Sequence, residues 1–126
     1  MNDQTQSKGR ILVLEDNDDV RLLTSTILRS AGYEVTEAAS PLQVLDREVP
    51  PVEVDLIVSD VVMPGMSGPE FSVVWLKKHP QARFLFMSGF FDDSNMKSVL
   101  NADNLIRKPF KAADLLSRVE KMIASL

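Results

Sequence analysis

The stretch VDLIVSD at residues 54–60 decides the fold, because a short apolar run ends there in a carboxylate. Its consecutive apolar residues, Leu56, Ile57 and Val58, are typical of a parallel strand that is buried on both faces. Working outward, four further short runs predict strands: ILVL at 11–14, YEVT at 33–36, FLFM at 84–87 and NLI at 104–106. Because residues 33–37 alternate between apolar and polar, we expect that strand at an edge of the sheet.

Stretches with helical spacing separate the predicted strands. Between residues 17 and 31, one face carries Val20, Leu23, Ile27 and Ala31, and we expect this face to be buried. Further helices are predicted at 40–49, at 68–78, briefly after Asp92 or Asp93, and from 111 onward. Five repeats of strand then helix predict an α/β three-layer sandwich, with a parallel sheet between two layers of helices.

Composition limits the classes of protein that fit. The 126 residues suit one domain, with 44% hydrophobic and 25% charged residues. A net charge of −4 argues against direct binding to nucleic acid or to anionic membranes. The chain has no cysteine, which excludes disulfides and fits a reducing cytoplasm. No apolar run approaches the ~18 residues of a membrane span, so we expect no membrane insertion. Residues 1–9 are interpreted as a polar arm or linker, and residues 10–126 as the domain.

Polar residues stand at the ends of four of the predicted strands. Glu15 and Asp16 follow the first strand directly, Asp60 ends the third, Ser88 ends the fourth, and Lys108 follows the fifth. In a doubly wound sheet these positions share the carboxyl edge, where ligands bind. Three carboxylates that meet in one cleft repel each other unless a cation is present, and Mg²⁺ prefers such oxygen ligands. A carboxylate can also attack phosphorus, and an ammonium group can stabilise the transferred phosphoryl group.

Four segments together carry a resemblance to a known family. They are ILVLED at 11–16, DLIVSDVVMPGMSG at 55–68, MSG at 87–89 and RKPF at 107–110. In this order and at this spacing, the chain resembles the receiver domains of two-component response regulators from about Arg10 to Leu126. The resemblance implies the flavodoxin-like strand order 2-1-3-4-5, with five helices.

The resemblance also assigns roles to individual residues. It implies that Asp60 accepts the phosphoryl group. Asp16 would bind Mg²⁺ directly, and Glu15 would do so directly or through water. The backbone carbonyl of Val62 would be a further metal ligand.

The phosphoryl group itself is expected to meet two side chains. Ser88 would donate a hydrogen bond to it, and Lys108 would form an ion pair with it. The bond between Lys108 and Pro109 is usually cis in the family, so we expect a cis peptide there.

These roles imply a signalling domain that takes phosphate from the phosphohistidine of a histidine kinase. It would catalyse its own phosphorylation, with self-dephosphorylation left open, but would not be an enzyme acting on an external substrate. Partners would be a histidine kinase or phosphotransfer protein and a downstream protein effector. The chain would be cytoplasmic, either a stand-alone regulator or part of a hybrid kinase, and a dimer is also open.

The chain departs from the family pattern at several positions. Glu15 replaces the usual aspartate, and Leu105 replaces a Tyr or Phe that turns inward on phosphorylation. The segment from Ser88 to Lys108 is slightly short. A phosphate-independent interaction domain therefore stays an alternative. A phosphohydrolase is disfavoured, because Val62 stands where aspartate phosphatases need a second aspartate.

Overall fold

The computed structural model describes residues 8–46, 53–89 and 103–125. The strands are β1 (Arg10–Leu14), β2 (Glu34–Ala38), β3 (Leu56–Asp60), β4 (Arg83–Ser88) and β5 (Leu105–Arg107). The helices within these residues are α1 (Asp18–Ser30), α2 (Pro41–Leu45), α3 (Gly68–Lys78) and α4 (Ala112–Ala124). Each of these helices is too short or too polar to cross a bilayer.

The five strands form one parallel sheet in the order β2-β1-β3-β4-β5. This order and the α/β sandwich confirm the predicted fold. The alternating strand β2 lies at an edge, as predicted. The short helix predicted after Asp92 or Asp93 falls within 90–102, outside the described residues, and residues 1–7 of the predicted arm do so as well.

Alternate residues of the buried strands supply two separate cores. Ile11 and Val13 of β1 belong to the core that α1 and α4 cover, together with Leu28 and Leu115. Residues of the opposite parity, such as Leu12, belong to the core under α2 and α3. The sheet is thus covered on both faces, which explains the continuous apolar runs of its central strands.

The buried face of α1 overlaps the predicted one only in part, through Ile27 and Ala31, which pack against the core. Leu23 is 55% exposed, whereas Thr24, Ser25 and Leu28 are buried. The hydroxyl of Thr24 donates to the carbonyl of Val20 at 2.7 Å, so its burial leaves no unpaired donor. The buried face of α1 is rotated relative to the predicted apolar face, because two hydroxyl residues pack against the sheet in place of a leucine.

Helix boundaries follow from local capping. Asn17 caps α1, Ser40 caps α2 and Ser67 caps α3, each through a side-chain oxygen that accepts a backbone N–H. The prediction for α3 was correct at both ends. Helix α2 ends at Leu45 rather than near residue 49.

Candidate functional site

The carboxyl ends of β1, β3, β4 and β5 bring the predicted site residues to one edge of the sheet. Leu14 pairs in register with Ser59, so Glu15 and Asp60 follow at the same level. Ser88 ends β4 opposite Arg107 of β5, and Lys108 comes next. The backbone N–H of Lys108 donates to the carbonyl of Ser88 at 2.8 Å. The predicted convergence of the strand ends is therefore observed.

Three carboxylates form the floor of this site. Glu15, Asp16 and Asp60 each offer an oxygen, and these oxygens lie within 4.8 Å of one another. Glu15 is fully buried and Asp60 is nearly so, whereas Asp16 is exposed. Such a set of hard oxygen donors, open to solvent on one side, fits an ion such as Mg²⁺ that keeps several of its waters.

Lys108 connects two of the three carboxylates. Its Nζ lies 2.6 Å from Oε1 of Glu15 and 3.2 Å from Oδ1 of Asp60. The peptide bond between Lys108 and Pro109 is cis, as predicted. One ammonium group therefore faces the two buried carboxylates of the floor.

The buried charges shift each other's ionisation. Burial raises the pKa of Asp60, and the charge of Asp16 adds to this, although Lys108 opposes both. Burial likewise raises the pKa of Glu15 against the hydrogen bond from Lys108. Burial alone would lower the pKa of Lys108, but its contacts with Glu15 and Asp60 outweigh that effect and raise it. The site holds more negative charge than its lysine can balance, which favours a bound cation.

The loop between β1 and α1 fixes the position of Glu15. The backbone N–H of Asn17 donates to Oε2 of Glu15 at 3.1 Å, and Arg21 donates to the Glu15 carbonyl at 2.9 Å. Arg21 also pairs with Asp18 at 2.7 Å. We did not predict roles for Asn17 and Arg21. A polar N-cap directly after an acidic pair was a signal for Asn17, whereas no local pattern pointed to Arg21.

The loop between β3 and α3 fixes the position of Asp60. The N–H of Val61 donates to the carbonyl of Met87, and the N–H of Gly68 donates to the carbonyl of Val61, both at 2.9 Å. A Cβ on Gly68 would lie 2.2 Å from the backbone oxygen of Asp60, so only glycine fits there. Helix α3 therefore begins directly against the backbone of Asp60.

The remaining predicted positions lie around this floor. Ser88 is buried at the end of β4. Val62 is 62% exposed on the loop after Asp60. Leu105 is buried in β5 opposite Phe86, and Arg118 of α4 donates to its carbonyl at 2.8 Å.

Comparison with known proteins agrees with this geometry. The sequence matches the response regulator receiver domain over residues 11–120. The chain belongs to the receiver-domain family. The acidic cluster of Glu15, Asp16 and Asp60 fits the phosphoacceptor site of a receiver domain.

Two curated relatives show how receiver domains like this one occur. The chain is 40% identical to the sensor kinase CckA of Brucella abortus over 117 residues, covering 90% of the chain and 12% of CckA. It is 32% identical to the receiver protein CpdR of the same organism over 124 residues, covering 90% of the chain and 96% of CpdR. The chain thus spans about an eighth of the first relative and nearly all of the second.

Two solved structures share the fold. The receiver domain of the hybrid histidine kinase CckA is 34% identical with a TM-score of 0.68, covering 91% of this chain and 99% of that one. TrrA of Thermotoga maritima, solved in complex with Mg²⁺ and BeF, is 30% identical with a TM-score of 0.75, covering 90% and 97%.

Proposed function

We propose that this receiver domain accepts a phosphoryl group on Asp60 from a phosphohistidine of a histidine kinase or phosphotransfer protein. A carboxylate oxygen of Asp60 would attack phosphorus as the phosphorus–nitrogen bond of the donor breaks. The observation that carries this proposal is the position of Lys108, 3.2 Å from Asp60 and 2.6 Å from Glu15. The same contacts disfavour the phosphate-independent alternative, since such a domain has no need of a partly buried cation beside its aspartate.

Each side chain at the carboxyl edge has a proposed task. Lys108 stabilises the negative charge on the phosphoryl oxygens, and Glu15 holds Lys108 in place beside Asp60. Ser88 ends the neighbouring strand, from which its hydroxyl donates to the phosphoryl group. These groups are positioned before the donor arrives, so little reorganisation is needed during transfer.

Mg²⁺ is the proposed cofactor. Glu15, Asp16, Asp60 and the backbone carbonyl of Val62 are its proposed ligands, with Glu15 acting directly or through water. When bound, the ion would offset the excess negative charge of the site and of the phosphoryl oxygens. The raised pKa values of Glu15 and Asp60 support this assignment, because they reflect buried carboxylates that lack sufficient positive charge.

The phosphorylated state is proposed to be long-lived. Val62 offers no polar side-chain atom to orient a water molecule toward phosphorus. Self-dephosphorylation would then be slow, and the phosphoryl group would remain available to a phosphotransfer protein or a downstream effector. We propose that the chain lies in the cytoplasm, where the kinase domain of its phosphoryl donor and its effector would also be found.

Incubation with Mg²⁺ and acetyl phosphate tests the proposal, with the intact mass as readout and Asp60→Asn as the matched control. We expect a gain of one phosphoryl group that requires Mg²⁺ and is lost in the variant. If acetyl phosphate gives no gain, a phosphorylated histidine phosphotransfer domain is tried as donor. No gain from either donor, with Mg²⁺ binding absent by titration, would overturn the proposal and favour the phosphate-independent alternative.

A further inference from the structure

Helix α3 carries two exposed valines between opposite charges on the side that faces away from the sheet. Its inner side carries Phe71, which is fully buried. On the opposite side, Val73 and Val74 are 51% and 40% exposed. Glu70 and Lys77 lie on this same outer side and are exposed. These four outer residues are called the α3 stripe.

Two adjacent exposed valines are unusual on the outer side of a helix. Valine has a lower helix propensity than the polar residues that commonly occupy such positions. The two valines therefore lower the stability of the helix, and their exposed apolar area is unfavourably solvated in the isolated domain. Covering the pair with another molecule would remove the unfavourable solvation.

Opposite charges flank the two valines in a regular arrangement. Glu70 and Lys77 are seven residues apart, which is about two helical turns or about 10 Å along the axis. Among the described residues neither side chain forms a salt bridge. Glu70 uses Oε1 to accept the N–H of Ser67 in the capping box, so its second oxygen stays available.

We propose that the α3 stripe is a self-association surface, on which the α3 helices of two copies pack antiparallel about a two-fold axis. In this arrangement Glu70 of each copy faces Lys77 of the other, and the two valine pairs meet at the centre. A parallel pairing would instead place glutamate against glutamate and lysine against lysine. The order acid, apolar, base is thus complementary to itself in the antiparallel orientation alone, as a two-fold contact requires.

The size of the stripe predicts a weak and reversible dimer. Helix α3 has 11 residues and is therefore about 16 Å long. Contact along one such helix buries less than the roughly 1,600 Å² of a standard interface, a size typical of transient association. None of the four stripe residues belongs to the acidic cluster, so this proposal does not depend on phosphoryl transfer.

Sedimentation equilibrium of the unphosphorylated full chain over a wide concentration range tests the surface. We expect the weight-average mass to rise reversibly with concentration for the natural chain. Val73→Lys occurs twice in each dimer and should weaken association by at least about tenfold. The matched control is Leu42→Lys, because Leu42 is exposed to a similar extent, 57%, but lies on α2.

Two results of this experiment would overturn the proposal. The first is a natural chain that sediments as a monomer at every concentration. The second is a control that loses association as strongly as Val73→Lys, or a Val73→Lys variant that associates like the natural chain. Circular dichroism of each variant establishes that the fold is retained.

A charge-exchange experiment tests the antiparallel orientation separately. Glu70→Lys alone places lysine against lysine, and Lys77→Glu alone places glutamate against glutamate, so each variant should associate several-fold more weakly than the natural chain. An equimolar mixture of the two restores both opposite-charge contacts, and it should associate more strongly than either variant alone. A mixture that associates no better than its components contradicts the antiparallel pairing.

Discussion

Lys108 and Glu15 form an ion pair at the carboxyl edge of the sheet, with Nζ 2.6 Å from Oε1. The second carboxylate oxygen of Glu15 accepts the N–H of Asn17. Both oxygens of this fully buried side chain therefore have partners, and one of the partners is the lysine that also contacts Asp60. Glutamate at this position reaches across the site and fixes the cation beside the proposed acceptor.

Replacing Glu15 by glutamine should weaken Mg²⁺ binding. The change keeps the size of the side chain but removes one negative charge, and it loosens the hold on Lys108. We expect the Mg²⁺ dissociation constant, measured by calorimetric titration, to rise on the order of tenfold. The control is Glu34→Gln, since Glu34 of β2 pairs with Arg10 of β1, outside the acidic cluster. Equal affinities of Glu15→Gln and the natural chain would contradict this role for Glu15.

Asp60→Asn should stabilise the metal-free protein at neutral pH. The pKa of Asp60 is raised in the folded state, so the folded state binds the proton more tightly than the unfolded chain does. The stabilisation that comes from this tighter proton binding is fully present below the ordinary pKa of 3.8, and it is lost as pH rises through the pKa of Asp60 in the folded state. We expect the melting temperature of Asp60→Asn to exceed that of the natural chain by at least about 2 °C at pH 7.

The pH and metal dependence of this difference provide the check. The difference should shrink as pH falls toward 3.8, where the aspartate becomes protonated in both states. Mg²⁺ should stabilise the natural chain more than the variant, because bound ligand favours the folded state. Glu53→Gln, at an exposed carboxylate before β3, controls for surface charge. A variant that melts below the natural chain at every pH would show that Asp60 is not destabilised by its surroundings.

Gly68→Ala should destabilise the fold even though alanine favours helices. The new Cβ would lie 2.2 Å from the carbonyl oxygen of Asp60 and 2.8 Å from Oγ of Ser59, so backbone must move. We expect a loss of about 2–3 kcal/mol in the free energy of unfolding, measured by urea denaturation. Gly89→Ala is the control, because a Cβ there would meet no atom of the described residues within 4 Å. Similar stabilities of the two variants would exclude this close approach.

Val62→Asn should shorten the lifetime of the phosphorylated protein. Val62 is 62% exposed beside Asp60, so the change costs little stability. An amide can orient a water molecule toward phosphorus, and we expect dephosphorylation to be faster by at least about tenfold. The decay of the phosphorylated mass over time measures the rate. A decay rate unchanged by the substitution would show that Val62 does not limit hydrolysis.

The strand order and the strand ends were predictable because local patterns encode them. An apolar run that stops at a carboxylate indicated where β1 and β3 end. The stretch at 54–60 did not reveal that β3 begins at Leu56, because Val54 before it is also apolar. Ser59 and Asp60 remain in the strand because both β1 and β4 pair with this segment, and such pairing partners are distant in sequence.

The contacts inside the site were less predictable than its composition. Lys108 and Glu15 are 93 residues apart, so no local signal indicates which acid the lysine meets. The buried face of α1 was partly misplaced for a related reason. Burial of Thr24 depends on a hydroxyl that donates to the carbonyl one turn earlier, and an apolar pattern does not register such bonds.

Phosphorylation should change β5 much less than the residues around Asp60. Leu105 is already buried, with 8% of its surface exposed, so it has no outward position from which to turn inward, and Arg118 donates to its carbonyl at 2.8 Å. We expect beryllium fluoride with Mg²⁺ to shift the amide resonances of 15–17 and 60–68 strongly and those of 105–107 weakly. Asp60→Asn, which should show no fluoride-dependent shifts, is the control. Shifts across 105–107 as large as those around Asp60 would instead mean that β5 takes part in the switch, with leucine in place of the usual aromatic residue.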